Sequence, residues 1–227
     1  MIASLAGFAL QPVWAGAAYP FDDSGYLGDA ALMPDWSATM QRQGQQSPDL
    51  QACIKDAEAC ESFYKGIRHL LLKAAALPPE RQIKLVNHYV NRKRYKYDRA
   101  SQIETPFSNE PLKYRSRWAT VEEFIRRGGD CEDYATTKYF LLRQLGFSID
   151  QLRVVVTYDR RARAHHAILA VKRTDGKVLL LESDNQIRIG RRHTYRFIYS
   201  VNEKSIWDHE SVSTMSRMIR HQKERPA

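Results

Sequence analysis

Apolar positions recur at helical spacing in four stretches of the chain and give way, after residue 150, to runs of β-branched and aromatic residues. Over Leu50–Ala76, Phe63, Ile67, Leu70 and Leu71 share one face, which predicts a helix with a break near Cys53 and Cys60. Pro78-Pro79 ends it. Glu80 begins a second helix reaching about Tyr95, with Ile83, Val86, Tyr89 and Val90 at helical spacing. Residues 96 to 117, with Pro106 and Pro111, read as a long loop. Thr120 is an N-cap for a helix over Val121–Arg127, and Glu123 completes a capping box. The helix opening at Cys131 turns Tyr134, Ala135, Tyr139, Leu142 and Leu145 inward and stops at Gly146. Leu152–Tyr158, His165–Arg173, Val178–Glu182 and Phe197–Val201 then read as strands, and Thr174-Asp175-Gly176-Lys177 is a hairpin turn. Helices followed by antiparallel strands predict an α+β fold in which the Cys131 helix packs on an antiparallel sheet. Residues 19–48 read as an extended lead-in, 49–211 as the folded domain and 212–227 as a basic tail.

Composition narrows the function. With 43% hydrophobic residues among 227, a sizeable core is available to one domain. The charge of +9 sits in short clusters such as Arg92–Arg94, Arg160–Arg163 and Arg188–Arg192. No nucleic-acid-binding motif accompanies them, so they read as solvated surface. Met1 to Ala18 is apolar, ends in small residues and resembles a secretory signal without its positive start, which predicts export. No later run is long enough to span a membrane.

Three cysteines are an odd number. In an oxidising compartment, Cys53–Cys60 pairing would leave Cys131 as the free thiol. Continuous helix would separate their Cα atoms by about 10.5 Å, beyond the roughly 7 Å a bridge allows, so pairing requires a turn near Asp56-Ala57. Two unlinked cysteines are the alternative.

The chemistry concentrates at Gly128-Gly129-Asp130-Cys131-Glu132-Asp133-Tyr134-Ala135. A thiol at a helix N-terminus meets unpaired N–H groups and the positive dipole end, which favour the nucleophilic thiolate. The plain alternative is a small buried residue at a helix start. A base and its orienting acid are available on the hairpin, where His165-His166 opens one strand and Asp184 follows the other. Alternation points the two histidines to opposite faces and leaves the choice between them open. The acids beside the thiol serve equally as helix caps or as hard oxygen donors to Ca²⁺.

These residues resemble the bacterial transglutaminase-like, papain-related cysteine peptidases, in particular the LapG group of periplasmic proteases. The matching segments are Tyr114 to Phe124, Gly128 to Ala135 with Lys138-Tyr139, Gly146-Phe147, His166 to Leu169 and Leu181 to Asn185. The resemblance implies a papain/transglutaminase-like fold and a triad of Cys131, His166 and Asp184. The family's acid stands in a Leu-x-Asp-Asn setting, whereas Leu181-Glu182-Ser183-Asp184-Asn185 carries an extra residue. Asp184 is the better match and Glu182 the alternative. The resemblance further implies Ca²⁺ held by Asp130, Glu132 and Asp133, and a large cell-surface adhesin cut near its N-terminus to disperse biofilm. It also implies an inner-membrane, LapD-like cyclic di-GMP receptor as regulator. A transglutaminase or amidase using the same triad, or a non-catalytic binding module, are the competing readings.

Overall fold

The computed structural model describes residues 17–97, 117–191 and 193–209. The signal-like segment up to Gly16, most of the expected loop (98–116, with Tyr114) and the basic tail lie outside the described residues.

Five helices precede most of the sheet: α1 (Pro34–Lys55), α2 (Lys65–Ala75), α3 (Pro79–Asn91), α4 (Val121–Arg127) and α5 (Cys131–Gln144). The strands are β1 (Tyr26–Asp29), β2 (Leu152–Asp159), β3 (Ala164–Lys172), β4 (Val178–Leu181), β5 (Ile187–Ile189), β6 (Tyr195–Val201) and β7 (Ser205–Asp208). They form one antiparallel sheet in the order β1-β7-β6-β2-β3-β4-β5. The main core lies between the helices and one sheet face, where Val154, Leu169, Val171 and Leu181 meet Ile67, Val86, Leu141 and Leu142. A smaller cluster covers the other face, with Tyr19 over Val155, Ile168, Ala170, Leu180 and Phe197.

Local sequence explains most of these elements. In α2 the buried positions Ile67, Leu70, Leu71 and Ala74 follow the i, i+3, i+4, i+7 pattern of an amphipathic helix. Thr120 and Glu123 form the reciprocal capping box of α4. Helix α5 is buried continuously from Asp133 to Leu142, because α3 and α4 pack on it from one side and the sheet from the other.

Two boundaries differ from the sequence reading. The segment 19–48, expected to be extended, holds β1 and most of α1. Gly44 and Pro48 obscure that helix locally, but its inward positions find tertiary partners. Trp36 is fully buried against Trp118, Tyr139 and Phe140 and donates to the Asn202 carbonyl at 2.9 Å. Thr39 donates to the Trp118 carbonyl, and Gln43 accepts from the Val121 N–H, so polar residues occupy what is a core-facing stripe. The break expected within Leu50–Ala76 is present, separates α1 from α2 and carries the Cys53–Cys60 disulfide. The second expected helix ends at Asn91 rather than Tyr95.

Candidate active site

Cys131 is the first residue of α5 and a free thiol, partly exposed. Two glycines make the approach possible. Gly128 has φ +72° and lies so close to the Arg94 carbonyl that a Cβ would overlap it at 2.3 Å. A Cβ on Gly129 would stand 2.0 Å from Asp133 Oδ2. The Arg94–Tyr97 segment therefore lies flush against the chain entering α5, with Lys96 N–H donating to the Gly129 carbonyl at 2.8 Å. Tyr95 stacks on Tyr134 at 5.7 Å, and its hydroxyl meets the Cys131 thiol.

The thiol faces the open edge of β3. Strand β4 accompanies β3 only over Leu169–Lys172, so among the described residues the earlier part of that edge has no neighbouring strand there. The Ala167 N–H reaches the Cys131 Sγ at this edge, directly after His166 in the chain. Burial raises the thiol pKa well above its ordinary value, and the Glu132 and Asp130 charges add to the effect against the Ala167 hydrogen bond. The thiol also donates to Glu132 Oε2 at 3.3 Å. Burial and these charges thus oppose the thiolate that a helix terminus favours.

His166, not His165, carries a carboxylate. Its Nε2 lies 2.9 Å from Glu182 Oε2. His165 is exposed and packs edge-on against Tyr158. The structure does not bring Asp184 to His166. Leu169 pairs with Leu181 and Lys172 with Val178, so a continued hairpin would set His166 opposite Asp184. Strand β4 ends at Leu181, however, and the chain turns, with Glu182 N–H donating to the Gln186 carbonyl. Asp184 becomes an exposed turn residue whose Oδ1 accepts from Gln186 N–H at 3.0 Å. Glu182 stays on the face of Leu180 and Ile168, diagonal to His166 and within reach of it.

Glu182 is 2% exposed. Burial alone would raise its pKa, but hydrogen bonds from His166 and Tyr195 and the Arg188 charge outweigh it and hold the carboxyl below the ordinary range. Sequence reasoning assigned no role to Tyr195 and counted Arg188 only as a surface charge. The alternation Leu180-x-Glu182 on the His166 face was the available signal for the acid itself.

The three acids expected to hold a metal are engaged at the start of α5. Asp133 Oδ1 accepts from Ala119 N–H at 2.6 Å and Oδ2 from Asp130 N–H at 3.2 Å, within a capping box. Among the described residues, no group of three or more His, Cys, Asp or Glu side chains is arranged to hold a metal ion. The chemistry of the set nevertheless suits a hard cation, since Asp130, Glu132 and Asp133 supply carboxylate oxygens within four residues.

Comparison with known proteins agrees with this architecture. Residues 48–214 match the family described as bacterial transglutaminase-like cysteine proteinase (BTLCP). No curated protein sequence matches the chain significantly. Among solved structures, Legionella pneumophila LapG superposes with a TM-score of 0.57 at 23% identity, over 76% of this chain and 95% of that one. Its calcium-bound form gives 0.56 at 22% identity, over 76% and 99%. The EGTA-treated form gives the same TM-score and identity over 76% and 97%. At such identities the likeness is one of fold. The family match spans most of the chain and includes Cys131, His166 and Glu182, so this protein belongs to the bacterial transglutaminase-like cysteine proteinases.

Proposed function

We propose that this chain is a calcium-dependent periplasmic cysteine endopeptidase that cleaves the N-terminal region of a large cell-surface adhesin. Release of the adhesin would disperse biofilm, under control of an inner-membrane, LapD-like cyclic di-GMP receptor. The observation that carries the catalytic part is the Cys131 thiol against Ala167 N–H, one residue from a histidine whose Nε2 is held by Glu182.

With Nε2 on the acid, His166 has Nδ1 left for the thiol. Cys131 attacks the peptide carbonyl, while His166 takes the thiol proton and later returns it to the leaving amine. Glu182 fixes the ring and stabilises the imidazolium. The backbone N–H of Cys131, at the helix start, would donate to the developing oxyanion. Deprotonation by His166 would accompany attack. Asp130, Glu132 and Asp133 would hold Ca²⁺, which supplies positive charge against the two carboxylates that push the thiol upward. The calcium-bound form of Legionella LapG, a protein of like fold, supports calcium binding by this chain.

The disulfide supports an oxidising compartment. Among the described residues no helix is long and apolar enough to cross a membrane. The deciding experiment incubates the protein and its Cys131→Ala variant with the host adhesin's N-terminal fragment, in calcium and in chelator. Cleavage by the wild type in calcium alone is expected. An intact fragment under every condition rejects the proposal.

A further inference from the structure

Glu182 is gripped through both its side chain and its main chain. Oε1 accepts from Tyr195 Oη at 2.7 Å and from Arg188 Nε at 2.8 Å, which leaves Oε2 to His166. The Glu182 carbonyl accepts from Lys138 Nζ at 2.6 Å and from Asn91 Nδ2 at 2.9 Å. Strands β5 and β6 thus hold the carboxylate, while α3 and α5 hold the backbone beneath it. Lys138 is fully buried two helical turns after Cys131, so the nucleophile helix itself anchors the acid's main chain.

The side-chain contacts have a geometric consequence. A glutamate has one more rotatable bond than an aspartate, and an unrestrained one would present its oxygens to His166 in several orientations. Two donors on Oε1 remove that freedom. The Tyr195 ring also lies 5.9 Å from the His166 ring, so one residue touches both members of the pair. Arg188 sits 6.0 Å from the Tyr195 ring centroid and adds a bonded positive charge to a buried carboxylate.

We propose that Tyr195 and Arg188 are positioning residues of the peptidase reaction, orienting Glu182 so that its remaining oxygen sets the His166 ring toward Cys131. This rests on the reading of Cys131, His166 and Glu182 as the catalytic group.

The test needs no peptide substrate. Of three cysteines two are bridged, so iodoacetamide reads Cys131 alone. In calcium-containing buffer at neutral pH, Tyr195→Phe and Arg188→Gln are each expected to slow alkylation about tenfold, the value of one lost charge-assisted hydrogen bond. Arg188→Lys keeps the charge without the fork and is expected to recover part of the rate. Unfolding midpoints should stay near that of the wild type, which separates positioning from loss of fold. Both variants reacting at the wild-type rate overturn the inference and leave the catalytic reading intact. A His166→Ala variant alkylated at the wild-type rate overturns that reading, and the inference with it.

Discussion

His166 Nε2 lies 2.9 Å from Glu182 Oε2, while Asp184, two residues further along, turns its carboxylate to the Gln186 N–H. Glu182→Gln is therefore expected to lower turnover by about 10²-fold or more, since the ring loses its ionised partner. Asp184→Asn should stay within about twofold of the wild type, because an amide oxygen still accepts the turn hydrogen bond. Measuring kcat for both variants on one peptide decides between the two acids. A reversed order of effects would return the role to Asp184.

Gly129 has no room for a side chain. An added Cβ would meet Asp133 Oδ2 at 2.0 Å and Asp133 Cβ at 2.5 Å. Gly129→Ala must displace the residue that caps α5, at an expected cost of about 1–3 kcal/mol. Urea denaturation reads that loss, and the Cys131 alkylation rate reports whether the helix start has moved.

His209 predicts a stability loss in acid. Burial is the largest cause that lowers its pKa, to about 4, with the Arg153 charge adding to it and the Asp22 charge opposing. The unfolded chain binds this proton near pH 6.5, so it holds more protons than the fold between roughly pH 6.5 and 4. Stability supplied by the neutral ring is complete above that window and falls as pH drops through it, by about 3 kcal/mol at most. Comparing urea midpoints of wild type and His209→Phe at pH 7 and pH 4 isolates the contribution. A slope unchanged by the substitution would show that His209 titrates normally.

The Cys53–Cys60 bridge closes the break between α1 and α2. Its short loop gives about 2 kcal/mol of unfolded-state restriction. Thermal unfolding of Cys53→Ala/Cys60→Ala should show that loss, with Cys131 reactivity retained. Coincident melting curves for wild type and double variant would mean that the bridge contributes nothing to stability.

Elements whose pattern is local were legible in the chain. The Thr120–Glu123 capping box, the glycines before Cys131, the α2 stripe and the 174–177 turn each specify their geometry from neighbouring residues. The nucleophile and the choice of His166 came from the Gly-Asp-Cys-Glu-Asp block and the residues after the histidine, read as a resemblance. Helix α1 stayed hidden because Thr39 and Gln43 are polar at buried positions, and only contacts from residues near 118–121 satisfy them.

By itself the sequence determined the α+β order, the thiol at a helix start and the strands that would bring an imidazole near it. Only the tertiary structure decided which acid meets His166. The choice depends on β4 ending at Leu181, on Lys138 and Asn91 holding the Glu182 carbonyl, and on Tyr195 and Arg188 meeting its carboxylate. Those donors lie far apart in the chain, and no local pattern encodes their convergence. The surroundings of the thiol follow the same way, because burial and neighbouring charge oppose the thiolate that the helix start favours.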